Sequence, residues 1–227
     1  MRGWIVRTAS LITAALCAAA MLLPIKLNAA SNALPFYSLT APLTVAPDFS
    51  ALAQRTLTAE AERIWQREGV RLEWPGSSTS ESTAPLRVLV IARREALNGK
   101  ADRWPVGELI PQTGRRALAI ASIAGAERVL VEAGRRRLLL DSPEPADYRL
   151  GVVLGRAVAH EIGHYLLDTT THADHGLMRA AIDAREFADP DARTFGLDGT
   201  AGAWLRDHLG VTAGNASSPA PFRYPQN

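Results

Sequence analysis

Apolar side chains recur every three or four positions in two long stretches of the chain. The first covers residues 49–68 and is followed by Gly69, a residue type that commonly ends helices. The second covers residues 147–167 and is the longest such stretch in the sequence. A weaker repeat lies over residues 195–209. These patterns predict two main helices and a further helix near the C-terminal end.

Four shorter segments carry strand patterns. Residues 70–74 alternate between apolar and polar side chains, as in a strand with one covered face. Residues 86–92 are nearly all apolar, which suits a strand covered on both faces. Two more strands are predicted over residues 117–124 and 128–132, whereas residues 93–115 look irregular. Helices and strands mixed in this way predict an α+β fold.

The N-terminus has the pattern of a secretory signal peptide. Arg2 and Arg7 precede an apolar run over residues 8–25, and small residues follow it. Cleavage after Ala29 or the next residue would export the protein, so we expect a secreted or periplasmic location. The alternative is an uncleaved N-terminal anchor, because an apolar run of about 18 residues could just span a bilayer.

Proline content marks the domain boundaries. Residues 30–48 contain three prolines and no clear period, which indicates an extended lead-in. Residues 49–212 hold all the strong helix and strand patterns and form the predicted globular domain. Residues 213–227 are again rich in proline, and we expect a flexible tail.

Charge and cysteine content narrow the function further. The chain has 25 Lys and Arg against 23 Asp and Glu, but loss of residues 1–29 would remove Arg2, Arg7 and Lys26, leaving 22 basic residues. The mature chain would then be slightly acidic, which argues against a nucleic-acid partner. Cys17 also lies in the predicted signal. Any zinc site in the mature protein must therefore use His and carboxylate ligands.

The second long helix carries the segment His160-Glu161-Ile162-Gly163-His164. Two His residues four positions apart project from one helix face, so both imidazoles can reach one zinc ion at about 2.0–2.1 Å. Glu161 is turned roughly 100° around the helix axis and can lie beside the open position of the metal. There it would take the proton of a metal-bound water. Gly163 keeps bulk out of the space between the two His residues.

A catalytic zinc site normally has three protein ligands and a water, so His160 and His164 need a third partner. Three downstream residues are candidates for it: His172, His175 and Glu186. The first two lie in the polar segment after the helix, whereas Glu186 would have to come from a second helix. Asp168 or Asp174 could hold a ligand His by its second ring nitrogen.

This segment resembles the motif of the metzincin clan of zinc metallopeptidases, H-E-x-x-H-x-x-G-x-x-H followed by a methionine-containing turn. Matrixin-type members place that methionine 18 positions after the first His, and Met178 lies 18 positions after His160. The resemblance implies that Met178 forms an apolar floor beneath the metal without coordinating it. Two positions depart from the pattern, because Leu167 replaces the glycine and Thr170 replaces the third His.

The third His of the pattern would come two residues late in this chain. With Met178 in register, a slightly longer helix or a bulged loop would bring His172 back to the metal. The resemblance therefore favours His172 as the third zinc ligand, with His175 and then Glu186 as the alternatives. Glu186 would imply an arrangement like that of the gluzincins.

The resemblance also implies a fold and a function. The fold would be zincin-like, with a twisted, mostly parallel sheet, two main helices and a small C-terminal subdomain. We expect a zinc-dependent metalloendopeptidase that acts on peptide or protein substrates as a monomer, without stable membrane association after signal cleavage. The strand at 117–124 would align an extended substrate. The alternatives are an exported zinc-binding module with little turnover, and a membrane-tethered structural protein whose His cluster is incidental.

Overall fold

A computed structural model describes residues 37–75, 84–91, 106–114, 116–135, 142–212 and 222–223. The predicted signal peptide 1–29 and the alternative anchor lie outside these residues. No helix in the described part of the chain combines the length and the apolar character needed to cross a bilayer.

The strands form one pair and one four-stranded sheet. The pair is parallel and consists of β1 (Tyr37–Thr40) and β3 (Val70–Glu73). The second sheet has the order β2-β4-β6-β5, with parallel pairing of its first three strands and antiparallel pairing of the last. Its members are β2 (Leu43–Val45), β4 (Leu86–Ile91), β5 (Gly107–Pro111) and β6 (Ala117–Ser122). Strand β5 therefore lies at an edge of the described sheet.

Five helices accompany the strands in the described residues: α1 (Ala51–Gln66), α2 (Ile123–Glu132), α3 (Pro143–Leu167), α4 (Ala184–Ala188) and α5 (Gly199–Thr212). Helix α1 begins at Ser50, whose hydroxyl accepts a hydrogen bond from the Leu52 N–H at 3.2 Å. The two long helices confirm the prediction of two main helices, and the mixture of helices with a small mixed sheet confirms the α+β class.

Two segments between the long helices differ from the sequence predictions. The strand predicted over residues 128–132 is wrong, because this stretch is the second half of α2. Its buried residues Ala126 and Leu130 are four apart, and the Ser122 hydroxyl caps its start by accepting the Gly125 N–H at 3.1 Å. The irregular structure predicted over residues 93–115 is wrong at 107–111, which form β5.

The predicted ends of the domain also contribute to it. Residues 37–45, in the expected extended lead-in, supply β1 and β2. Phe222, in the expected flexible tail, is buried, and its N–H donates to the carbonyl of Leu167 at 2.9 Å. Backbone pairing, rather than any helical or alternating pattern, holds these segments in place.

Helices α1 and α3 pack closely because α3 presents glycines to α1. A Cβ atom at Gly151 would lie 2.6 Å from the Ala53 carbonyl oxygen, and one at Gly155 would lie 2.7 Å from that of Leu57. Such distances leave no room for a side chain. Helix α3 is consequently buried over most of its length, including every residue from 150 to 159.

We expect Gly151→Ala to destabilise the fold by about 1–2 kcal/mol. Overpacking costs about 1–3 kcal/mol, and the better helix propensity of alanine returns up to about 1 kcal/mol. The measurement is the free energy of unfolding in urea. Gly199→Ala is the control, because a Cβ atom there meets no atom within 4 Å. Equal stability of the two variants would contradict the close packing of α1 on α3.

Candidate metal centre

The last two turns of α3 carry the three residues singled out by the sequence motif. Glu161 and His164 are buried and His160 is partly buried. The helix continues through Leu167, which agrees with the longer helix considered from the sequence. The chain then turns sharply at Asp168, whose φ is 49°; no other non-glycine residue in the described part of the chain has a positive φ.

The turn at Asp168 explains the late third histidine. The Thr169 N–H donates to the His164 carbonyl at 3.2 Å, and the Asp168 N–H donates to the Tyr165 carbonyl at 3.3 Å. This pair of bonds is a Schellman motif, in which the residue after the helix adopts the left-handed conformation. The motif comes one residue later than the glycine position of the family pattern, and the loop contains one further residue before His172.

Backbone carbonyl groups orient the two helical histidines. The Nδ1 atom of His160 lies 2.8 Å from the Leu177 oxygen, and that of His164 lies 2.8 Å from the Thr169 oxygen. A carbonyl oxygen only accepts hydrogen bonds, so both Nδ1 atoms carry the ring proton and both Nε2 atoms carry a lone pair. Asp168 and Asp174 were considered from sequence as partners for a ligand histidine, but backbone carbonyl groups hold these two rings instead.

The two lone pairs face each other across a short distance. The Nε2 atoms of His160 and His164 are 3.0 Å apart. Burial lowers the pKa of His160 to about 4, and it also lowers the pKa of His164, so protonation of either ring is disfavoured at neutral pH. Two lone pairs at this distance repel each other unless a cation lies between them, and a metal ion meets that requirement.

His172 completes the group. One ring nitrogen from each of His160, His164 and His172 lies within 4.8 Å of the others. The His172 ring stacks on that of His160, with centroids 5.4 Å apart, and meets that of His164 edge-on at 4.9 Å. Burial also lowers the pKa of His172.

The alternative third ligands lie elsewhere. Neither His175 nor Glu186 belongs to the cluster. The carboxylate of Glu186 is bound by Arg179, with contacts of 2.5 and 3.1 Å, and by the Thr194 hydroxyl at 2.5 Å. Because these partners occupy its oxygens, Glu186 has a structural role. Glu186 itself lies in α4, a helix of five residues.

Met178 lies directly under the helix. It is 1% exposed, and a Cβ atom at Gly163 would overlap its sulfur. Gly163 therefore makes room for Met178. The atoms nearest to such a Cβ belong to Met178 and Trp65, and not to the histidines between which the sequence placed this glycine. An apolar, polarisable side chain thus packs beneath the cluster at the spacing that the sequence had indicated.

A guanidinium holds the segment around Met178. Arg179 donates through Nε to the Gly176 carbonyl at 3.0 Å while its Nη atoms bind Glu186. The Leu177 N–H also donates to the Gly196 carbonyl at 2.7 Å. These bonds fix the Leu177 carbonyl, which is the group that orients His160.

Glu161 lies against the edge strand. It is 6% exposed, and a Cβ atom at Gly107 would come within 2.7 Å of its Oε1 atom. The pKa of Glu161 is raised to about 8, chiefly by burial and also by the negative charge of Glu108, while a hydrogen bond from the Leu109 N–H acts in the opposite direction. A carboxyl group with a pKa near neutrality is suited to accept and return protons.

Gly107 and Leu109 were not among the site residues predicted from the sequence. Leu109 contributes a backbone N–H, which every residue other than proline has. The available signal was a glycine in a short half-buried strand, which often marks close approach of another group. The strand at 117–124, expected to align a substrate, is interior: β6 (Ala117–Ser122) pairs with β4 and β5. That expectation is wrong, and among the described strands β5 is the one at this edge of the sheet.

The donor set suits a transition-metal ion. Three neutral imidazoles are ligands that zinc accepts in catalytic sites with one position left for water, and copper, iron and nickel also bind imidazole. The geometry therefore supports a His₃ metal site but leaves the element open. Comparison of the sequence with models of known families and with curated proteins found no match.

We expect His172→Ala to weaken zinc binding more than about a hundredfold, because losing a ligand should exceed the 10–100-fold effect of losing a group that supports one. His175→Ala is the matched control and should leave the affinity unchanged. Competition with a chromogenic chelator measures both. A larger loss for His175→Ala would overturn the assignment of His172.

Glu186→Gln should have an intermediate effect. The substitution weakens the ion pair with Arg179, which positions the segment that carries Leu177 and Met178. The Leu177 carbonyl, which orients His160, is then held less firmly. We expect a loss of zinc affinity below about tenfold in the same competition assay. A loss as large as that of His172→Ala would mean that Glu186 is itself a ligand.

Zinc binding at pH 7 should release a proton from Glu161. With its pKa near 8 the carboxyl is mostly protonated before the metal binds, and a nearby cation favours the carboxylate. The lowered pKa values of the three histidines mean that they release few protons. Calorimetry in two buffers of different ionisation enthalpy gives the number released. Glu161→Gln should release close to one proton fewer, and equal release would contradict the prediction.

Proposed function

We propose that this protein is a zinc-dependent metallopeptidase of the metzincin-like, zincin type. The observation that carries the proposal is the convergence of His160, His164 and His172 on one point, with Glu161 on the adjacent turn of the same helix. Three protein ligands leave a position for water, and a buried carboxyl lies next to the ligands. Sites that only store a metal do not require that carboxyl.

The chemistry divides between the metal and the chain. When bound, zinc would lower the pKa of a water and polarise the carbonyl of the substrate. Glu161 would accept the proton of a water as the water oxygen bonds to the carbonyl carbon of the substrate, and would return it to the nitrogen of the leaving amine as the C–N bond breaks. His160 and His164 keep their Nε2 atoms toward the metal because Leu177 and Thr169 hold their Nδ1–H groups.

The edge strand β5 provides a place for an extended substrate. The Val106 carbonyl and the Gln112 N–H pair toward β6, at 2.8 and 2.7 Å. Backbone direction alternates along a strand, so the groups of Gly107 and Leu109 point away from the sheet. An extended peptide added at this edge would run past Glu161, in the manner of β-strand addition.

The order of the elements supports the family assignment. A parallel sheet with one antiparallel edge strand, a first long helix, a second helix with the histidines, and a methionine under that helix all match the expected zincin-like arrangement. Under this proposal, the catalytic domain predicted over residues 49–212 also includes β1 and β2 at its start, and the part after α3 is the small C-terminal subdomain. The enzyme acts as an exported monomer, secreted or periplasmic.

One observation favours a second function, that of an exported zinc-binding module with little turnover. The Glu161 carboxyl is in contact with Gly107 and receives the Leu109 N–H, so the edge strand covers the proposed base. An enzyme must uncover this group to reach water and substrate. A module that only binds metal need not do so.

Glu161→Gln tests the proposal. We expect cleavage of a diverse peptide library to fall by about 10²–10⁴-fold while one equivalent of zinc is retained, because the amide keeps the shape but cannot accept the proton. Glu127→Gln is the control, an exposed position on α2. Wild-type protein that binds zinc and cleaves nothing would favour the binding module. A fully active Glu161→Gln variant would exclude Glu161 as the base.

A further inference from the structure

A second candidate site lies between α1 and α3, on residues that take no part in the metal centre. It is a cleft of about 310 Å³ lined by Arg55, Arg63 and Thr56 from α1 and by Tyr148 from α3. The cleft is accessible, since 28% of the Arg63 side chain is exposed. Tyr148 is 45% exposed, which is high for a large aromatic residue.

The charged groups that line the cleft and lie behind it carry more positive than negative charge. Both oxygens of Glu60 are bound by Arg63, at 2.7 Å each, and its Oε1 atom also accepts from Nε of Arg156 at 2.8 Å. One carboxylate is thus shared by two guanidinium groups. Arg55 at the rim adds a third positive charge, and no acidic residue other than Glu60 lines the described cleft.

The second guanidinium is completely buried. Arg156 is 0% exposed, its Nη1 atom donates to the carbonyls of Glu186 and Phe187 at 3.1 and 2.9 Å, and it stacks over the Phe195 ring at 4.1 Å. A buried cation that shares its carboxylate is costly unless other acceptors complete its hydrogen bonds.

Each of the two guanidinium groups has one nitrogen without a hydrogen-bond partner. The Nη1 atom of Arg63 and the Nη2 atom of Arg156 are buried and have no partner in the described protein. An unsatisfied donor on a charged group is more costly than one on a neutral group. Glu60 has no free oxygen with which to satisfy them. Of the two, only Arg63 lines the cleft. An additional acceptor with negative charge there would offset the excess of positive charge and could take the hydrogen bond that Arg63 lacks.

We propose that this cleft binds a small oxyanion, a carboxylate or a phosphate group, held by Arg63 and Arg55 beside the Tyr148 ring. Guanidinium groups present paired N–H donors that match the oxygens of such anions. The proposal does not rest on the proposed peptidase function, because none of the residues that line the cleft belongs to the metal centre.

Calorimetric titration of the mature, zinc-loaded protein with inorganic phosphate and with acetate, at constant ionic strength, tests the proposal. We expect saturable binding of one anion and a melting temperature that rises with its concentration. Tighter binding of phosphate than of acetate assigns the site to phosphate groups, and the reverse order assigns it to carboxylates. The absence of saturable binding by both anions would overturn the proposal.

Arg55→Gln is the diagnostic variant, because Arg55 is exposed and its loss leaves the Glu60 cluster intact. We expect about tenfold weaker anion binding, the typical effect of removing one charge-assisted hydrogen bond. Arg116→Gln, an exposed arginine outside the cleft, is the matched control and should bind as wild type does. His172→Ala should also bind normally, which separates this site from anions that coordinate the metal. Equal losses in Arg55→Gln and Arg116→Gln, or loss in His172→Ala, would refute the proposal.

Discussion

Close packing around α3 is the constraint on which the rest of the structure depends. Gly151 and Gly155 bring the backbone of α1 against this helix, and Gly163 lets the Met178 sulfur reach it from below. Side chains at these positions would push α3 away from the elements that pack on it. Hydrogen bonds between them would then break, such as the bond from the Trp65 indole N–H to the Ala159 carbonyl at 3.1 Å. A helix enclosed in this way is a rigid base for a metal site, which requires ligands held to within about 0.5 Å.

The part of the candidate site that consists of side chains was predictable from the sequence. The spacing of His160 and His164 fixes their common face once the helix is known, and His172 follows from the loop length and the register of Met178. The carbonyls that orient the rings were not predictable, since every residue has one. Their positions depend on the turn at Asp168, where aspartate adopts a conformation that usually requires glycine.

The fold was predictable where patterns are long and strong. Helices α1 and α3 follow from their apolar repeats, and β3 and β4 follow from alternation and apolar content. Strand β5 has every residue from 107 to 110 half-buried, so no alternation marks it, and only its pairing with β6 makes it a strand. The segment 128–132 is too short for its apolar content to distinguish a strand from a helix. The Ser122 hydroxyl, which caps the start of α2, favours the helix.

One continuous series of charged and backbone contacts joins the cleft to the metal centre. Glu60 binds Arg156, Arg156 binds the backbone of Glu186, and the Glu186 carboxylate binds Arg179, which holds the segment that orients His160. Apolar side chains could fill the same space, often with equal or greater stability. They could not fix the positions of carbonyl oxygens, which requires directed hydrogen bonds. The charged residues are therefore best understood as setting geometry: they place α4 and the Met178 segment against α3, and the metal centre takes its shape from that placement.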